Sequence, residues 1–161
     1  MNRPFLLIDI DGVVSLFGLD HRDPPPGRFV SVDGIVHYLS YGAAEQLLTL
    51  AQRFELAWCS GWEEKADEHL PRALGLPAGL SHLSFADGSD QPGRHWKLDA
   101  IDAFAGPDRP LAWVDDAHDE SCRGWAAERA APTLLVTTDP ATGLTATHAA
   151  TLNAWAGALT G

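Results

Sequence analysis

The chain has 161 residues, 45% of them hydrophobic, and a formal net charge of −11; it has the length of one domain, 1–161, able to bury about 70% of its unfolded surface. No apolar run is as long as a membrane span, and the acidic balance argues against a broad electrostatic grip on nucleic acid, though not against a small anion held at a locally positive point. The two cysteines, Cys59 and Cys122, lie far apart without metal-ligand spacing and read as reduced, packing thiols. Met-Asn-Arg-Pro leads directly into an apolar run, unlike a secretory signal, so the cytoplasm is the expected compartment.

The first element is Phe5-Leu-Leu-Ile-Asp9-Ile-Asp11-Gly12, a buried strand ending in two carboxylates. Residues two apart in an extended segment point the same way, and Gly12 permits a sharp turn or close approach to a ligand. Two acids this close repel, so one is pushed toward its neutral form unless a cation intervenes. The run therefore points to a magnesium site or an acid/base pair.

Residues 13–42 read as an irregular insertion that opens with a stiff proline loop, Pro24-Pro25-Pro26-Gly27, and continues as a β-hairpin. Its strands are 28–32 and 35–39, with Asp33-Gly34 as the tight turn. A helix follows over 43–53, with Ala44, Leu47, Leu48 and Ala51 at helical spacing, then a strand over 54–59. A second helix is expected over 62–73, with Glu63 and Glu64 in its first turn, and a short strand over 81–85. A polar loop over 86–94 leads to a helix over 95–105, stopped by Gly106-Pro107, and a strand over 110–114. A helix over 117–129, a strand over 133–137 and a helix over 146–156 complete the chain.

Short apolar strands alternating with helices imply an α/β fold: a three-layer, Rossmann-like arrangement with a central parallel sheet of about five strands. The hairpin after the first strand becomes a flap on that core. Sites in such sheets lie beyond the carboxyl ends of the strands. The polar residues that interrupt the apolar pattern fall there: Asp9 and Asp11, Ser60, Asp115 and Asp116, with Lys97 at a helix start.

Four segments resemble the haloacid dehalogenase superfamily, most of whose members are magnesium-dependent phosphatases. They are Asp9-Ile-Asp11-Gly12, Ser60 closing Phe-Glu-Leu-Ala-Trp-Cys-Ser, Lys97 in His-Trp-Lys-Leu, and Asp115-Asp116 after Leu-Ala-Trp-Val. They span most of the chain in the superfamily's order, and the likeness is to small bacterial members with little or no cap domain. The resemblance implies magnesium-dependent hydrolysis of a small phosphorylated metabolite through an aspartyl-phosphate. Asp9 would be the nucleophile, Asp11 the acid/base, and Ser60, Gly61 and Lys97 the phosphate-binding residues. Asp9, Asp11, Asp115 and Asp116 would surround Mg2+.

Elementary chemistry fits these roles. An oriented carboxylate is a competent nucleophile toward a phosphorus from which a metal withdraws charge, and one carboxyl can give a proton in one step and take one in the next. Lys97 offsets part of the negative charge of acids and phosphate together. Magnesium prefers hard oxygen ligands, and amides following Ser60 at a helix start can face an anion.

Each residue also has an ordinary reading: paired acids as a turn or cap, Ser60 as a helix cap, Lys97 as a solvated charge. Their recurrence at the same end of successive strands favours the chemical one. A calcium loop fails, because its sixth position requires Gly and holds Val14. A receiver domain would place its acid pair early and its phosphorylated Asp near the middle. A phosphotransferase of the same superfamily and a non-catalytic module retaining the fold are the alternatives to hydrolysis.

His37, His69 and His82 read as surface or partly buried, and His95 as a cap or an exposed side chain. Trp62 and Trp96 read as packing residues, one of which could stack on a flat substrate. The flap is too short for a folded cap. His21, Arg22 and Arg28 on it are the residues expected to meet the non-reacting part of a substrate. Neither substrate identity nor oligomeric state is legible in the sequence.

Overall fold

The computed structural model describes residues 2–85 and 91–160; part of the expected polar loop, 86–90, lies outside the described residues. Five strands, β1 (Phe5–Ile8), β5 (Glu55–Trp58), β6 (Ser81–His82), β7 (Leu111–Asp115) and β8 (Thr133–Thr137), form one parallel sheet in the order β6-β5-β1-β7-β8. Strand alternation divides the core. Leu6, Ile8, Leu56, Trp58, Ala112 and Val114 face one side with α1 (Tyr41–Leu50), α2 (Lys65–Leu74) and α5 (Ala146–Leu159). Phe5, Leu7, Ala57, Cys59, Leu111 and Trp113 face the other, with α3 (Leu98–Ala105) and α4 (Glu120–Glu128). The expected three-layer α/β architecture is the one observed. Each fully buried Leu, Ile or Phe in these layers contributes about 1.5–3 kcal/mol of burial. Neither cysteine is in a disulfide and both are buried, as read.

The insertion is more ordered than its sequence suggested. The hairpin pairs β3 (Gly27–Val32) with β4 (Ile35–Ser40), and Asp33 (φ 52°) and Gly34 (φ 81°) both take the left-handed conformation of the expected primed turn. A short strand, β2 (Ser15–Leu16), completes a three-stranded antiparallel sheet in the order β2-β4-β3. The proline loop is anchored, since Tyr38 Oη donates to the Pro25 carbonyl at 2.5 Å.

Several boundaries shift for local reasons. Ser40 caps α1 through the Ala43 amide at 3.0 Å, so the helix starts early; its buried face is Ala43, Ala44, Leu47 and Leu50, while Leu48 is exposed. Helix α2 starts at Lys65 rather than at 62, because Glu63 has φ 49° and interrupts helical geometry. Its first-turn acids are therefore Asp67 and Glu68, not Glu63 and Glu64. Asp119 caps α4 through the Cys122 amide at 3.1 Å, which moves that helix start from 117 to Glu120. Strand β6 has two residues instead of the expected five, and α3 starts at Leu98 with Lys97 as its first flanking residue. Among the described residues, no helix is long and apolar enough to cross a membrane.

Candidate active site

Strands β1 and β7 are hydrogen-bonded neighbours, with Ile8 opposite Val114, so their carboxyl ends deliver acids side by side. The Asp9 amide donates to the Val114 carbonyl at 3.0 Å, extending the ladder one residue and fixing Asp9 beside Asp115. Oxygens of Asp9, Asp115 and Asp116 lie within 4.8 Å of one another. This is a donor set of hard oxygens, the kind magnesium takes.

Lys97 is inserted among them and is 3% exposed. Its ammonium donates to Asp115 Oδ2 at 2.7 Å and to the Cys59 carbonyl at 2.9 Å, and lies 3.1 Å from Asp9 Oδ1. An ammonium has three N–H donors, and these contacts occupy them. The ordinary reading of Lys97 as a surface charge is overturned by its burial. Its charge is retained: desolvation opposes it, but Asp9 and Asp115 push the Lys97 pKa up to about 12.

The acids divide according to how far their partners offset the cost of burial. Burial raises Asp9 to about 7, against the lowering influence of Lys97. Asp115 is also buried, but Lys97 and the Ala117 amide, which donates to Asp115 Oδ1 at 2.9 Å, hold it below the ordinary carboxylate value. Asp116 is raised by burial and by the neighbouring Asp115 charge.

Gly12 has φ 83°, and a Cβ there would stand 2.5 Å from Asp116 Cγ. The glycine thus gives Asp116 its room. Its carbonyl accepts a hydrogen bond from Thr138 Oγ1 at 2.7 Å, which ties the turn after β1 to the end of β8. Thr138 carried no signal in the sequence; its role depends on long-range packing.

The Asp11 carboxylate lies outside the three-acid cluster. Its side chain is 56% exposed and faces the same cleft. Trp62 Nε1 donates to Asp11 Oδ2 at 3.4 Å, and His37 Nδ1 lies 3.7 Å from Oδ1 and 3.0 Å from Ser15 Oγ. The rings of His37 and Trp62 meet edge to face at 4.7 Å. The flap therefore reaches the site through His37, which sequence reasoning did not single out; only the register of β4 against β2 would have revealed it.

Ser60 is buried and its hydroxyl accepts from the Trp62 amide at 3.2 Å. Its capping role holds, but what it caps is a turn and not a helix, so the Gly61 and Trp62 amides do not begin one. Ser60 and Gly61 both line the cleft with Asp9, Asp11 and Lys97. His95 is buried rather than exposed: its Nδ1 accepts from the Lys97 amide at 3.1 Å, and its own amide donates to Ser121 Oγ at 2.8 Å. Burial lowers its pKa, which favours the neutral ring. His21, Arg22 and Arg28 do not line the cleft; the flap contributes Phe17 instead.

The arrangement can hold a divalent cation on one side, present a buried carboxylate beside it, and offer a solvent-accessible second carboxyl for proton exchange. A search of models of known protein families finds no match to this chain, and no curated protein matches it.

Proposed function

We propose that this protein is a magnesium-dependent phosphohydrolase of the haloacid dehalogenase type, cleaving small phosphate monoesters. The observation that carries the reading is the convergence of Asp9, Asp115 and Asp116 within 4.8 Å at the carboxyl ends of β1 and β7, with Lys97 buried among them. Asp9, Asp115 and Asp116 would hold Mg2+. When bound, the ion would withdraw charge from the phosphoryl group and favour the ionised acids.

The residues divide the chemistry between them. Asp9, oriented by Lys97, attacks phosphorus through a carboxylate oxygen; a P–O bond to Asp9 forms as the bond to the substrate alcohol breaks. Asp11 gives its proton to the departing oxygen. In the second half, Asp11 takes a proton from water as that water attacks the phosphoaspartate, which releases phosphate and restores both carboxyls. Exposure suits Asp11 to exchanging protons with an alcohol and then with water. Ser60 and the Gly61 backbone line the space for the phosphate oxygens, and Lys97 supplies positive charge while remaining bonded to the acids.

The test is phosphate release from a small monoester, with and without magnesium, for the wild type and Asp9→Asn. The amide keeps the shape and loses the nucleophile, so turnover should fall to background with the fold retained. Full turnover by Asp9→Asn, or a beryllium fluoride adduct trapped on another side chain, overturns the assignment.

A further inference from the structure

The cleft over the acids encloses about 290 Å³, and its rim is aromatic: Phe17, from the flap, and Trp96, from the segment before α3, line it together with the catalytic acids. These rings are 50% and 47% exposed. Phe17 is held through its backbone and Trp96 through its ring. The Phe17 amide donates to the Pro140 carbonyl at 3.0 Å; Trp96 lies against Phe85 with ring centroids 4.9 Å apart and is stacked near His95 at 6.0 Å and 16°. Anchored aromatic surface at the mouth of a polar cleft offers a stacking partner to whatever enters.

Charge narrows what that ligand can be. Among the described residues lining the cleft, Lys97 is the sole Lys or Arg, facing Asp9, Asp11, Asp115 and Asp116. Its donors already meet Asp9, Asp115 and the Cys59 carbonyl. A second phosphate or a carboxylate on the substrate would find no spare cation here and a chain of net charge −11 around it.

We propose that the substrate is a phosphate monoester of an alcohol bearing a flat, uncharged aromatic or heteroaromatic ring, and that Phe17 and Trp96 are the surfaces on which the ring stacks. This inference rests on the phosphohydrolase reading and names its substrate class. The phosphoryl group enters toward Asp9 while the ring remains at the rim, so the aromatic residues act on binding and specificity and not on bond cleavage.

The experiment compares 2-phenylethyl phosphate with propyl phosphate, two primary alkyl esters whose leaving alcohols are nearly equal in acidity, on the magnesium-loaded full chain. A third ester carries a carboxylate on the phenyl ring. The ring should raise kcat/KM by about 5–150-fold, the range that one aromatic stack supplies, mainly through KM, and the added carboxylate should cancel the gain. Phe17→Ala and Trp96→Ala should each shrink the ratio between the first two esters. Damage to shared machinery cancels in that ratio. Equal kcat/KM on the phenylethyl and propyl esters overturns the substrate class while leaving the phosphohydrolase reading intact. A ratio unchanged in both variants overturns the assignment to these rings. No magnesium-dependent turnover of any ester overturns the phosphohydrolase reading, and this inference with it.

Discussion

At the scale of single residues, Lys97 and Gly12 do most to define the site. Replacing Lys97 by Met leaves the buried Asp9 and Asp115 facing each other without their cation. Breaking one side of a buried pair costs about 3–5 kcal/mol, and for a chain of this size that lowers Tm by about 10 °C. Thermal melts of Lys97→Met should show that loss in chelator and a partial recovery with magnesium, whose charge substitutes for the ammonium. A loss below about 1 kcal/mol would mean that Lys97 does not hold the acids. Gly12→Ala acts differently. Its Cβ meets Asp116 Cγ at 2.5 Å and Cβ at 2.7 Å, and a non-glycine residue at positive φ costs about 1–2 kcal/mol on its own. Asp116 must move, so the magnesium concentration giving half-maximal activity should rise while Asp9 remains in place. A magnesium titration checks this, and an unchanged midpoint would remove Asp116 from the metal set.

At the scale of elements, the flap is where sequence and structure diverge most. Its hairpin was legible because Asp33-Gly34 encodes a turn locally, and the five core strands and five helices were legible because apolar spacing is a local property too. Strand β2 was not, being two residues long and defined only by pairing with β4. For the same reason the arrival of His37 beside Asp11 escaped the reading, whereas Asp9, Asp115 and Asp116 followed from their shared position at strand ends. His37 on β4 and Trp62 in the turn before α2 frame the Asp11 carboxyl. If Asp11 is the proposed general acid, removing His37 should therefore harm the step in which it protonates a leaving group. His37→Ala should slow alkyl phosphates, whose poor leaving groups need that proton, more than nitrophenyl phosphate, whose leaving group does not. The difference should fall within the about 10²–10⁴-fold that general acid catalysis contributes. An equal loss on both substrates would make His37 a merely structural flap residue, and circular dichroism would confirm that the variant still folds.

For the whole molecule, the buried acids couple stability, pH and metal. The sequence shows acids at strand ends but not their depth, because burial is set by layers brought together from the full length of the chain. That depth raises Asp9 from the ordinary 3.8 to about 7, with Asp116 raised in the same direction. A carboxyl with a raised folded-state pKa binds its proton more tightly folded than unfolded. Its contribution to stability is complete below the ordinary carboxylate range and is lost as pH rises through about 7. In chelator, then, these groups make the protein progressively less stable from about pH 4 to about pH 7 and above. On the proposed assignment magnesium would reverse the sign, because it would bind the ionised cluster and displace a proton wherever Asp9 is still protonated. A ligand that binds only the folded state stabilises by RT ln(1 + [L]/Kd), so a Kd that tightens with pH yields a larger shift in Tm. Scanning calorimetry with excess magnesium and with chelator should show a small difference at about pH 5.5 and a larger one at about pH 8. Titration calorimetry near neutral pH in buffers of different ionisation enthalpy should detect proton release on binding. A magnesium effect that is the same at both pH values, or a binding event that releases no proton, would mean that the ion does not sit on Asp9.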